Sequence, residues 1–74
     1  MGKVRALTFH KGEVILCSEQ GIYVSKNFGM AWFKRGSERN FIDIQDMGNE
    51  LIATTSDGHV YASSSGVISW FKRK

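Results

Sequence analysis

A chain of 74 residues with 42% hydrophobic and 23% charged residues has room for one small domain and too much apolar content for disorder. Its single cysteine, Cys17, excludes an intrachain disulfide, and its short apolar runs exclude a membrane-crossing helix. The net charge of +3 favours anionic partners without requiring them. A domain this small buries only about 60% of its unfolded surface, so self-association is the expected supplement to its core. Met1 to Leu7 lacks the apolar stretch and small-residue cleavage site of a secretion signal, and the expected location is the cytoplasm.

In chain order, Lys3 to Phe9 alternates apolar residues, and His10-Lys11-Gly12-Glu13 follows as a polar turn. Val14 to Cys17 is a β-branched apolar run closed by Ser18-Glu19-Gln20-Gly21. Ile22 to Val24 predicts a third strand, Ser25 to Gly29 a turn, and Ala31 to Phe33 a fourth strand ending at Lys34-Arg35. The second half predicts the same order: Asn40 to Met47, a turn at Gly48-Asn49, Glu50 to Thr54, a turn at Ser56-Asp57-Gly58, His59 to Ala62, a second box-like turn, and Ser69 to Lys72.

The two halves superpose. At an offset of 37 residues Glu13 aligns with Glu50, Ile15 with Ile52 and Gly21 with Gly58. One inserted residue, His59, lengthens the offset to 38 and brings Tyr23 onto Tyr61, Ser25 onto Ser63, and Trp32-Phe33-Lys34-Arg35 onto Trp70-Phe71-Lys72-Arg73. Four short strands repeated at a period of about 40 point to propeller blades. The predicted fold is all-β, with one four-stranded antiparallel blade in residues 1–37 and a second in 38–74.

Ser25-x-Asn27-x-Gly29-x-x-Trp32 resembles the Asp-box of the BNR repeat, whose pattern is Ser-x-Asp-x-Gly-x-Thr-Trp. Asn27 stands at the Asp position and Ala31 at the Thr position. The second copy keeps Ser63, Ser69 and Trp70 in register, but Ser65 replaces the Asp and the glycine has moved to Gly66, leaving Val67 in its place. The resemblance implies a structural box on the hairpin before the outermost strand, in which Ser and Asp-position side chains bond local amides and glycine takes a positive φ. It makes Ser25, Asn27, Gly29, Trp32, Ser63, Ser65 and Trp70 structural residues, with both tryptophans packing under their turns.

Propellers close with about 4 to 8 blades, so two per chain imply identical copies joined head to tail. Because Asp-box sialidases resemble six-bladed rings, a homotrimer is favoured and a tetramer comes next. The propeller model gathers the second-to-third-strand loops and the blade connections on one face and the boxes on the other. Arg5, Arg39, His59, Asn40, Glu19, Gln20 and Asp57 are then the candidate ligand-binding residues. Arginine forks suit carboxylate or phosphate oxygens, while the competing reading for Arg5 and Arg39 is an ion pair with Glu38, Glu19 or Asp57. For His59 the solvated loop residue is the favoured reading and contact with an anion or sugar the competing one.

No metal or cofactor is expected, since His10, His59 and Cys17 have no ligand spacing. Cys17, in an apolar strand, reads as an inert thiol. The basic ends Lys34-Arg35 and Lys72-Arg73-Lys74 read as protected sheet edges and not as a nucleic-acid surface, and no membrane partner is expected. Catalysis is not expected, because Tyr23 and Tyr61 lie away from the channel and no nucleophile or phosphate-loop motif occurs. The expected activity is capture of a small anionic ligand, such as a nucleotide or acidic sugar, in the channel or between blades. The alternatives are a neutral-glycan lectin of the two-blade homotrimer kind, and a protein-interaction module.

Overall fold

The computed structural model describes residues 2–74 and contains two four-stranded antiparallel sheets and no helix among them. The first sheet runs β1 (Val4–His10), β2 (Glu13–Ser18), β3 (Gly21–Ser25) and β4 (Phe33–Gly36), each beside the next. The second runs β5 (Phe41–Asp46), β6 (Leu51–Thr55), β7 (Val60–Ser63) and β8 (Phe71–Lys72) in the same order. Tight turns with glycine at positive φ, such as Gly12, Gly48 and Gly58, let each strand fold back on its predecessor.

The internal repeat extends to register. In the first sheet the pairing skips a residue between Val4 and Ala6, after which Ala6 faces Cys17 and Leu7 faces Leu16. In the second it skips between Phe41 and Asp43, after which Asp43 faces Thr54 and Ile44 faces Ala53. Such a bulge rotates the strand start and aims Arg5, the skipped residue, away from the ladder.

The outer strands begin later than the sequence suggests, at Phe33 and Phe71 and not at Ala31 and Ser69. The cause is the turn before each. Ser25 Oγ accepts from the amides of Asn27 and Gly29, at 3.3 and 2.8 Å, and Asn27 Oδ1 accepts from Ala31 N at 2.9 Å. Ser63 Oγ likewise accepts from Ser65 N and Val67 N, and Ser65 Oγ from Ser69 N at 2.9 Å. Amides committed to a turn cannot join a ladder. Gly29 meets the turn's demand with φ +94°, but its counterpart Val67 adopts φ +69° with a branched side chain. That backbone costs about 1–3 kcal/mol. Val67 is fully buried, which contributes about 1.5–3 kcal/mol and offsets the strain.

The core lies where one face of each sheet meets the other. Ile15, Cys17, Ile22 and Val24 come from the first sheet and Phe41, Ile44, Leu51 and Ala53 from the second. Burial pushes the Cys17 thiol up to about 12, so it stays protonated and unreactive. Polar ties flank this core: His10 Nδ1 lies 2.7 Å from Asp46 Oδ1, and Arg35 Nη1 donates to Gly66 O at 3.2 Å. The basic ends are not simply solvated edges. Arg35 reaches across its own sheet to bind Glu13 through two 2.8 Å bonds, and Arg73 binds Glu50 in the same two-pronged way at 3.1 and 2.9 Å.

Gly21 has φ +132°, and a Cβ there would sit 2.6 Å from the Gly36 carbonyl oxygen of the neighbouring strand. Gly21→Ala therefore separates β3 from β4 and lowers unfolding free energy by about 2–4 kcal/mol, measured by urea denaturation. The Glu13 carboxyl is held below its ordinary 4.5 first by the Arg35 hydrogen bonds. A depressed folded pKa gives stability that is present above the unfolded value and lost as pH falls through the folded one. Glu13→Gln is accordingly less stable than the parent at neutral pH, and its stability declines less between about pH 5 and 3, as thermal melts across that range will record.

Candidate functional site

Residues 37–40 join the sheets without entering a ladder, and they wall a cavity of about 180 Å³ at the head of the second sheet. Glu38, Arg39 and Asn40 contribute from this linker, Phe41 from the start of β5, Thr55 from the end of β6, Tyr61 from β7, and Trp70 from the segment before β8. The aromatic wall is built by packing. Phe41 meets Trp70 edge-on with centroids 4.7 Å apart and Tyr61 at 5.6 Å, which fixes both larger rings.

The polar wall divides into satisfied and free groups. Thr55 Oγ1 bonds the Asp57 carboxylate and accepts from His59 N at 3.1 Å, while Thr55 N donates to the His59 carbonyl at 3.0 Å. These bonds close the β6–β7 turn on itself. The Thr55 hydroxyl holds the Asp57 carboxyl below its ordinary range, and His59 Nε2 lies 3.5 Å from it. Asp57 and His59 thus serve each other and the turn beside the cavity.

Arg39 is free in the opposite sense. Among the described residues its guanidinium has no carboxylate within ion-pair distance, and the same holds for Arg5. The ion pairs with Glu38, Glu19 or Asp57 weighed for these arginines do not form. Instead Arg5 Nη1 donates to the Arg39 carbonyl at 3.3 Å, a contact that the bulge at Arg5 makes reachable. Arg5 braces the linker, and Arg39 keeps its donors.

Glu19 and Gln20 lie elsewhere. They form the β2–β3 loop of the first sheet, where Glu19 N donates to the Lys3 carbonyl and both side chains crowd Gly2. Of the sequence-based candidates, the fold brings Arg39 and Asn40 to the cavity wall, sets Arg5, Asp57 and His59 immediately behind it, and leaves Glu19 and Gln20 at the corresponding loop of the other sheet. Among the described residues no three metal-ligating side chains gather.

Sequence reasoning missed Phe41, Thr55, Tyr61 and Trp70 as cavity residues, and it read Glu38 in the linker as an ion-pair partner for the arginines. Trp70 packs against the core and also lines the cavity. Its Nε1 is the one buried side-chain nitrogen or oxygen without a partner among the described residues. An orphaned buried donor costs about 1–3 kcal/mol relative to a satisfied one. The available signal was the repeat itself, which places Trp70 one residue before the outer strand, within reach of the linker's end.

Comparison with family models, curated proteins and solved structures returns no match for this chain. The side chains around the cavity therefore carry the functional reading.

Trp70→Phe keeps an aromatic ring against Phe41 and removes the orphaned N–H. It changes the melting temperature by only a few degrees, as differential scanning calorimetry will show; a loss of more than about 3 kcal/mol would mean that the indole nitrogen has a structural partner.

Proposed function

We propose that the chain is a non-catalytic β-propeller subunit with one blade in each sheet, that copies close into a ring, and that the cavity captures a small anionic ligand such as a nucleotide or acidic sugar. The observation that carries the ligand reading is a guanidinium with no carboxylate, that of Arg39, in one wall with the aromatic residues Phe41, Tyr61 and Trp70. Donors without acceptors suit an anion, and rings held edge-on suit a base or a sugar face. Arg39 takes the anionic oxygens, Asn40 a neutral or charged group, and the aromatic residues the flat part of the ligand.

The ring reading is supported by the repeat of register between the sheets and by the apolar residues that each sheet leaves uncovered, since open blades need neighbours. Three copies would supply six blades. A worn BNR-like box in each sheet supports the same reading through its turn hydrogen bonds.

A second reading, a neutral-glycan lectin, is favoured by Glu38, whose carboxylate stands in the same wall and would accept from sugar hydroxyls. The two part on charge. Thermal-shift screening with nucleoside phosphates, sialic and uronic acids, and neutral monosaccharides, followed by calorimetry, separates them. The anionic reading expects a hit among the charged compounds and a loss of affinity of about tenfold or more in Arg39→Ala, corresponding to at least about 1.4 kcal/mol for a charge-assisted bond. Binding of neutral sugars alone, or unchanged affinity in Arg39→Ala, overturns it.

A further inference from the structure

Two sheets have four broad faces, and this fold covers two of them. The covered pair is joined by its apolar core and by the two polar ties, His10 to Asp46 and Arg35 to the Gly66 carbonyl. Both ties run in one direction, from the first sheet to the second. Because the sheets repeat each other's register, each tie has a counterpart on the uncovered faces. His10 corresponds to Met47 and Asp46 to Phe9; past the insertion at His59, Arg35 corresponds to Arg73 and Gly66 to Phe28.

These counterparts are exposed in a single chain. Phe9 and Met47 are 50% and 59% exposed, and Phe28 is 83% exposed. Phe9 and Phe28 stack at 6.1 Å with an interplanar angle of 5°, which forms a flat aromatic plate on the free face of the first sheet. Val4 and Leu7 beside it are 49% and 59% exposed, although Phe41 and Ile44 at the same places in the second sheet are 3% and 4%. Arg73 grips Glu50 as Arg35 grips Glu13, yet its side chain is 54% exposed against 26% for Arg35. Arg35 has a turn of the other sheet above it; Arg73 has none.

We infer that the occupant of both free faces is a second copy of this chain, docked head to tail by the same rotation that relates the two sheets within one chain. Met47 of one copy lies on the Phe9–Phe28 plate of the next, at the place where the joint within a chain has His10 on Asp46. Arg73 donates to the Phe28 carbonyl of that copy as Arg35 does to Gly66. The inference rests on the ring reading and adds the residues that make its joint. Replacing a polar contact with an apolar one has a physical reason. Within a chain the four-residue linker 37–40 holds the sheets together, so a polar contact need only orient them. Between chains the joint must overcome roughly 4–15 kcal/mol of lost translational and rotational freedom. Burial of methionine and aromatic surface supplies energy of that kind, whereas an exposed ion pair supplies about 0–1 kcal/mol.

The test is native mass spectrometry and sedimentation of the full chain with three variants. The wild type is expected to assemble. Phe9→Asp sets a carboxylate against Met47 and dissociates the assembly at concentrations at least tenfold above the wild-type midpoint, with the chain's own circular dichroism retained. Phe9→Asp with Met47→His rebuilds at the chain-to-chain joint the polar pair used inside the chain, and it assembles at least tenfold more tightly than Phe9→Asp alone. Met47→Asp acts from the opposite face and gives the same dissociation, which keeps the test open if Phe9→Asp fails to fold. Assembly of the aspartate variants at the wild-type midpoint, or equal dissociation of the single and double variants, overturns this joint while leaving a ring standing. A wild type that remains a single chain at every concentration overturns the ring reading itself.

Discussion

A β-sheet has two faces, and a chain of two sheets that pack on each other can cover only one face of each. This constraint governs the molecule. The core of Ile15, Cys17, Ile22 and Val24 against Phe41, Ile44, Leu51 and Ala53 exists because the sheets meet, and with Val67 it closes with nine buried residues among the described ones. The outward faces keep Leu7, Phe9 and Met47 in water. These apolar side chains lie on the faces that the two sheets do not cover for each other.

The polar contacts do different work from the core. Burial has no direction, so hydrophobic packing alone would let the two sheets slide over each other. His10 on Asp46 and Arg35 on the Gly66 carbonyl have fixed geometry, and they sit at two separated points of the joint. Asp46 also accepts from the Gly48 amide, and its carboxyl is held below the usual range first by His10 and then by that bond. The Glu13–Arg35 and Glu50–Arg73 grips act within a sheet, tying the outer strand to the second across the third. Where the repeat has drifted, packing compensates: Val67 tolerates a left-handed backbone because its side chain fills the core.

The cavity exists because the linker has no ladder to join. Residues 37–40 cross from one sheet to the next, and their side chains face the ends of β5, β6 and β7. Arg39 and Asn40 were legible as candidates because charged and amide side chains in a connection between sheets have no packing task. Trp70 and Tyr61 were not, since an aromatic residue in a repeated strand pattern reads first as core. Both are core and wall at once. Only the packing of Phe41 against them sets both rings in the cavity wall, and the indole nitrogen is left buried without a partner.

The sequence by itself determined the all-β class, the two-fold internal repeat, the order of eight strands and the local chemistry of the Ser25 and Ser63 turns. These follow from neighbours a few residues apart, where alternation, glycine and short polar side chains act directly. Tertiary structure alone decided that Arg35 grips Glu13, that His10 meets Asp46, that Arg5 bonds the Arg39 carbonyl, and that Glu19 and Gln20 stand apart from the cavity. Each depends on how two sheets are rotated against each other or on which strand lies third in a sheet. Composition and periodicity do not encode those distances, because the same pattern of apolar and polar positions is satisfied by several rotations, and only the side chains that meet across the joint select one.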